Sequence, residues 1–107
     1  MRYAFDLDNT LCLTRAGDYL SSSPIASRIE KVNKLYDLGH NILIYTARGS
    51  STGIDWREHT EKQLSMWGVR YHELRLDKAE YDVFIDDKAI DVISFFNHDV
   101  AHEDNSL

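Results

Sequence analysis

Three apolar runs in this chain stop on polar side chains: "RYAFDL" carries Asp6 and runs into Asp8, "NILIYTA" carries Thr46, and "YDVFIDD" ends on Asp86 and Asp87. None alternates apolar with polar, as expected of strands covered on both faces, the habit of parallel sheets. Between the first two runs lies a punctuated helix. Ser23 is its expected cap, Pro24 its first residue and Gly39 its stop. Ile25, Ile29, Val32 and Tyr36, with Leu35 and Leu38 beside them, give its apolar stripe. A second helix is predicted from about Trp56 to Trp67, ended by Gly68, and "VRYHEL" reads as a third, more exposed strand. "YDVFIDD" is the fourth strand, and "DVISFFN" a closing helix before a polar tail over residues 98–107.

Strand, helix, strand, helix, strand, strand predicts an α/β fold, with a parallel sheet between helix layers. Ligands of such sheets sit beyond the carboxyl ends of the strands. All the polar run ends converge there. Residues 9–23, rich in serine and turn formers, read as a loop or small flap beside that edge.

The 107 residues make one domain, with ordinary shares of hydrophobic (43%) and charged (28%) residues. No apolar run reaches membrane-span length, and Asp6 and Asp8 interrupt any signal-peptide core, so no membrane association is expected. The single cysteine, Cys12, rules out an internal disulfide and fits a cytoplasmic location. A net charge of −6 without a basic block argues against a nucleic-acid partner. An anionic substrate would then need a metal or a few placed cations.

Two aspartates one residue apart on an extended strand would share a face and repel. Adding Asp86 and Asp87 from a neighbouring strand makes a cluster suited to a hard divalent cation, and all-oxygen ligation suits Mg²⁺. Mg²⁺ with few protein ligands implies a phosphate as the remaining partner. One carboxylate beside it can attack phosphorus, and a second can donate and accept protons. Asn9 tolerates the unusual backbone angles that a bend separating the two would need. Thr46 offers a hydroxyl to a phosphoryl oxygen, backed by the amides of Ala47 and Arg48, and Lys78 is the best fixed positive charge.

"DLDNT", "ILIYT", Lys78 and "FIDD", in that order, resemble the four motifs of the haloacid dehalogenase superfamily, the first being its Asp-x-Asp-x-Thr signature. The resemblance spans roughly residues 2–90. It implies a Rossmann-like three-layer α/β/α core with strand order 4-1-2-3 and Mg²⁺-dependent phosphoryl transfer through an aspartyl phosphate. It also implies roles. Asp6 is nucleophile and metal ligand, and Asp8 is acid/base with its carbonyl on the metal. Thr46 holds the phosphoryl group, Lys78 steadies the intermediate and Asp6, and Thr10 braces the turn. Asp87 is expected as direct metal ligand with Asp86 behind it, or the reverse.

An aspartate at position 8 resembles the phosphatases of the superfamily. Residues 9–23 and the stretch after Thr46 are too short for a cap domain, so the chain is similar to capless members, whose site a flap and often a second subunit cover. "SSPIASRIEKVNKLYDLGHNILIYTARG" followed by "FIDDKA" is similar to small phosphatases of capsule or surface-polysaccharide biosynthesis. The implied substrate is a small phosphorylated metabolite, such as a sugar phosphate. A phosphoprotein or other macromolecule is the alternative, as is a non-catalytic regulatory domain. Response-regulator receivers place their lysine last, however, whereas Lys78 precedes the final acidic pair. Arg48 and Lys88 are either substrate contacts or structural charges. His98 and His102 have helical metal-pair spacing but no third ligand, and Cys12 reads as a packing residue.

Overall fold

A computed structural model describes residues 1–97; the polar tail, with His98 and His102, lies outside them. The chain runs β1 (Arg2–Phe5), β2 (Cys12–Leu13), a 3-10 turn (Tyr19–Ser21), β3 (Ser23–Pro24), α1 (Ala26–Asp37), β4 (Asn41–Tyr45), α2 (Arg57–Met66), β5 (Glu73–Arg75) and α3 (Val92–Phe96). The main sheet is parallel and three-stranded, in the order β1-β4-β5. Phe5 pairs with Ile44, and Ile44 with Leu74.

β4 is the central strand, and Ile42, Leu43 and Ile44 are all buried, as its unbroken apolar run requires. β1 differs: Phe5 is buried, while Ala4 is exposed. Ile29, Val32 and Leu35 of α1, Leu64 of α2, and Val69 and Leu74 complete the core. Each such side chain contributes about 1.5–3 kcal/mol when fully buried.

Both long helices end as the glycines predict. His40 N–H donates to Leu35 O and Gly39 N–H to Tyr36 O, with Gly39 at φ +94°. Val69 and Gly68 repeat the pattern on Leu64 and Ser65, with Gly68 at φ +70°. These bonds satisfy the last carbonyls of each helix. The start of α1 differs from expectation. Ser23 and Pro24 form β3, antiparallel to β2, and the helix begins at Ala26 without a side-chain cap. Pairing with Cys12 and Leu13 takes those two residues into the flap, which is thus a small hairpin hung beside the sheet edge.

The expected fourth strand is absent from the sheet. Residues 81–90 have no regular structure, and Val83, Phe84 and Ile85 are exposed. Short-range contacts mark this stretch. The Tyr81 and Phe84 rings contact at 5.1 Å, and Asp86 Oδ1 accepts the Lys88 N–H at 2.8 Å, an Asx-type turn at the run's end. Beyond it, Asp91 caps α3 by accepting the Ile93 and Ser94 amides, and Phe95 and Phe96 pack against Phe5.

Candidate active site

The chain leaves β1 after Phe5 and folds at once. The Leu7 carbonyl accepts the amides of Thr10, Leu11 and Cys12 at 3.1, 2.8 and 3.3 Å, and Asn9 takes φ +63°. Leu7 is fully buried, so the bend drives it into the core and leaves Asp6 and Asp8 flanking it. This resolves the repulsion expected of an extended Asp-x-Asp pair. The two carboxylates acquire separate partners.

Asp6 is held from both sides. Thr10 Oγ1 donates to Asp6 Oδ2 at 2.9 Å, and Lys78 Nζ reaches Asp6 Oδ1 at 3.2 Å. Lys78 arrives through the main chain, its N–H donating to Thr46 O at 3.3 Å. Burial alone would lower the pKa of its ammonium; the Tyr81 hydroxyl and the Asp6 carboxylate more than offset that and raise it, so it stays charged.

Asp8 belongs to a different network. Arg48 grips it with Nη2 on Oδ1 at 2.8 Å and Nε on Oδ2 at 3.0 Å, and Thr14 Oγ1 donates to Oδ1 at 2.6 Å. Thr46, at the end of β4, is 1% exposed, and its Oγ1 accepts the Arg48 N–H at 3.1 Å. The Thr46 hydroxyl proton is left to give to an oxygen in the cleft.

Asp6, Asp8, Thr14, Tyr19, Thr46 and Ala47 share a cleft of about 280 Å³ under the flap. A second opening, about 560 Å³, meets it at Asp6 and Ala47 and is lined by Lys78, Glu80, Tyr81 and Asp82. Asp6 therefore faces both. Asp6, Asp8, Thr46, Ala47 and Lys78 come together as the sequence predicts.

Two expectations change. Asp86 and Asp87 do not join the pair: both are exposed in the 81–90 stretch, and among the described residues no group of three or more His, Cys, Asp or Glu is placed to hold a metal. The run that would bring them beside Asp6 and Asp8 is not hydrogen-bonded to β1. Arg48 is the second change. Its guanidinium is fully buried and spent on protein partners, leaving no donor for a substrate anion. Arg48 still lines the cleft, beside Asp8 and Tyr19.

Thr14, Tyr19, Ser22, Thr60 and Gln63 around Asp8 and Arg48 have no counterpart in the sequence reading. They lie up to 44 positions from the groups they touch, and no local pattern marks them. Cys12 is buried against Asp8 and Arg48, and burial above all pushes its thiol up, so it is a neutral packing group. Tyr19 is raised too, by burial first and then by the Asp8 charge.

No family model matches the chain, and no curated protein matches it. A crystal structure described as an MCSG target from Vibrio cholerae is similar at TM-score 0.80 and 23% identity, over 97% of this chain and 94% of that one. A likeness at that identity shows the fold, a compact α/β arrangement with a small parallel sheet.

Proposed function

We propose that the protein is a phosphomonoester hydrolase in which Asp6 attacks phosphorus and Asp8 transfers protons. The observation that carries this reading is the unequal provision for two neighbouring carboxylates in one cleft. Asp6, paired with Lys78 and open to both clefts, suits a nucleophile that must meet substrate. Asp8, clamped beside it, suits a group that must keep one orientation while giving and taking a proton.

In this mechanism the Lys78 ammonium attracts the substrate phosphate and balances the negative charge that builds on the phosphoryl oxygens. The Thr46 hydroxyl donates to one of those oxygens. Asp6 displaces the alcohol, forming an aspartyl phosphate, while the proton of the phosphomonoester monoanion passes through the Asp8 carboxylate to the leaving oxygen. Asp8 then takes a proton from water as that water attacks phosphorus and frees Asp6.

The donor set also fits Mg²⁺, which commonly takes one or two carboxylates with substrate phosphate completing its shell. Asp6 and the main-chain carbonyl of Asp8 would hold it, where it would neutralise phosphate charge. A ligand from Asp86 or Asp87 would require residues 81–87 to lie along the free edge of β1, giving the order 4-1-2-3 and the full haloacid dehalogenase-like core. The free edge and the exposed apolar face of Val83 and Ile85 favour that pairing. The cleft of about 280 Å³ beside Asp6 and the net charge of −6 support a small phosphorylated metabolite over a nucleic acid, with sugar phosphates of polysaccharide biosynthesis the first class to try.

The test is phosphate release across sugar phosphates, nucleotides and phosphopeptides, with and without Mg²⁺. Release that needs Mg²⁺ and disappears in Asp6→Asn is expected. Activity surviving in Asp6→Asn would sink the mechanism, and no release from any substrate would favour a binding role.

A further inference from the structure

A buried arginine needs every donor satisfied and its charge matched. Arg48, 2% exposed, meets both conditions through three separate parts of the chain. Nε and Nη2 take Asp8 in the bend after β1, as given above. Nη1 donates to Gln63 Oε1 at 2.6 Å and Thr60 Oγ1 at 3.2 Å on α2. Nη2 also reaches Ser22 Oγ in the flap at 3.4 Å, and the Tyr19 ring covers the cation at 4.7 Å.

The flap closes the circuit. Ser22 Oγ bonds Thr14 Oγ1 at 2.7 Å, and Thr14 bonds Asp8. Gln63 Nε2 donates to the Tyr19 carbonyl at 2.7 Å, so the residue that holds Arg48 also holds the flap. Lifting the flap would strip Arg48 of Ser22 and Tyr19 and Asp8 of Thr14. Turning Asp8 away would leave a buried cation without its counter-charge.

We propose that Arg48 is a positioning residue that couples the flap to the Asp8 carboxylate, so that a closed flap and an aimed Asp8 are one state. Its catalytic consequence rests on the reading of Asp8 as the proton-transfer group; the coupling itself does not. Opening the flap loosens Asp8, and releasing Asp8 loosens the flap.

Exposed Arg15, within the flap, provides the readout: trypsin cleavage there in the full chain, followed by mass spectrometry. Arg48→Gln and Asp8→Asn are each expected to speed cleavage by about 10- to 100-fold, the worth of a charge-assisted hydrogen bond. The double variant should cleave no faster than the faster single variant, since both cut one link. Arg48→Lys should not restore protection, because an ammonium cannot span Asp8 and Gln63 together.

Ser22→Ala, which leaves Arg48 and Asp8 in place, guards against a variant that does not fold. It should speed cleavage at an unchanged melting temperature. With para-nitrophenyl phosphate as substrate, it should also lower kcat more than it raises KM. Protection unchanged in Asp8→Asn or in Ser22→Ala would overturn the coupling, and a Ser22→Ala kinetic effect confined to KM would overturn its catalytic consequence. If the wild type released no phosphate, the proton-transfer reading would fail, and cleavage at Arg15 would still decide the coupling.

Discussion

Lys78 Nζ lies 3.2 Å from Asp6 Oδ1, joining residues 72 positions apart. The Asp6 side chain is 38% exposed and that of Lys78 only 15%, so the acid meets solvent while the base backs it from within. An ion pair with one sheltered partner is less screened than a surface pair. It holds a nucleophile in place without closing off its approach.

Lys78→Met removes that charge while keeping an unbranched side chain of similar length. On the proposed mechanism, kcat for phosphate release should fall by about 10²- to 10³-fold, the usual cost of losing one charge-stabilising donor. Lys78→Arg should recover part of it. Steady-state kinetics on both variants decide this, and a Lys78→Met enzyme with wild-type kcat would remove Lys78 from the chemistry.

Gly49 follows Arg48 at φ +81°, and a Cβ there would sit 2.1 Å from the Ile54 carbonyl oxygen. Gly53, at φ +75°, has open space around it. Gly53→Ala should cost only the left-handed strain, about 1–2 kcal/mol. Gly49→Ala should cost more than Gly53→Ala, because backbone must move, and should disturb Arg48 next to it. Urea unfolding of the pair measures the difference; equal losses would mean that the loop yields freely.

Asn9, at φ +63°, also accepts the Thr14 N–H on Oδ1 at 3.1 Å. Asn9→Gly should keep the bend and lose only that bond, about 1 kcal/mol. Asn9→Val should lose the bond and add strain, since a β-branched residue resists this conformation. Thermal melts should rank the three proteins in that order. A valine variant as stable as the glycine one would contradict the strain.

Asp77 has its pKa lowered, first by its hydrogen bond from Arg75, whose Nη2 reaches Asp77 Oδ2 at 2.6 Å. A depressed carboxylate contributes stability above its unfolded pKa, and that contribution is lost as pH falls through the folded value, below about 3.9. Carboxyl-carbon NMR should show Asp77 titrating below the usual aspartate range in the wild type and nearer to it in Arg75→Leu. The same titration in both would remove Arg75 as the cause. The pair is exposed, so near neutral pH the variant should unfold at nearly the wild-type temperature.

The sequence was legible where conformation is decided within a few residues. Gly39 and Gly68 end their helices because a left-handed residue lets the last carbonyls be bonded. Asn9 turns the chain for the same local reason, and Ile42, Leu43 and Ile44 of β4 are buried because none of the three can face water cheaply. Pro24 misled because pairing with Cys12, twelve positions away, outweighed its suitability for a helix start. Residues 81–87 carry no strand although one edge of β1 is free, since strand propensity depends on the packing a run finds as much as on its residues.

Arg48 shows what tertiary structure alone decided. In the sequence it is a loop cation after a strand, placed to meet a substrate anion. In the fold, the β1–β4 register brings Asp8 alongside it, the flap brings Ser22 and Tyr19, and α2 brings Thr60 and Gln63. A buried charge is stable only where such partners converge, and convergence is a property of the packed chain. The sequence determined that two acids would stand at one strand end; the packed structure gave one of them to Lys78 and the other to Arg48.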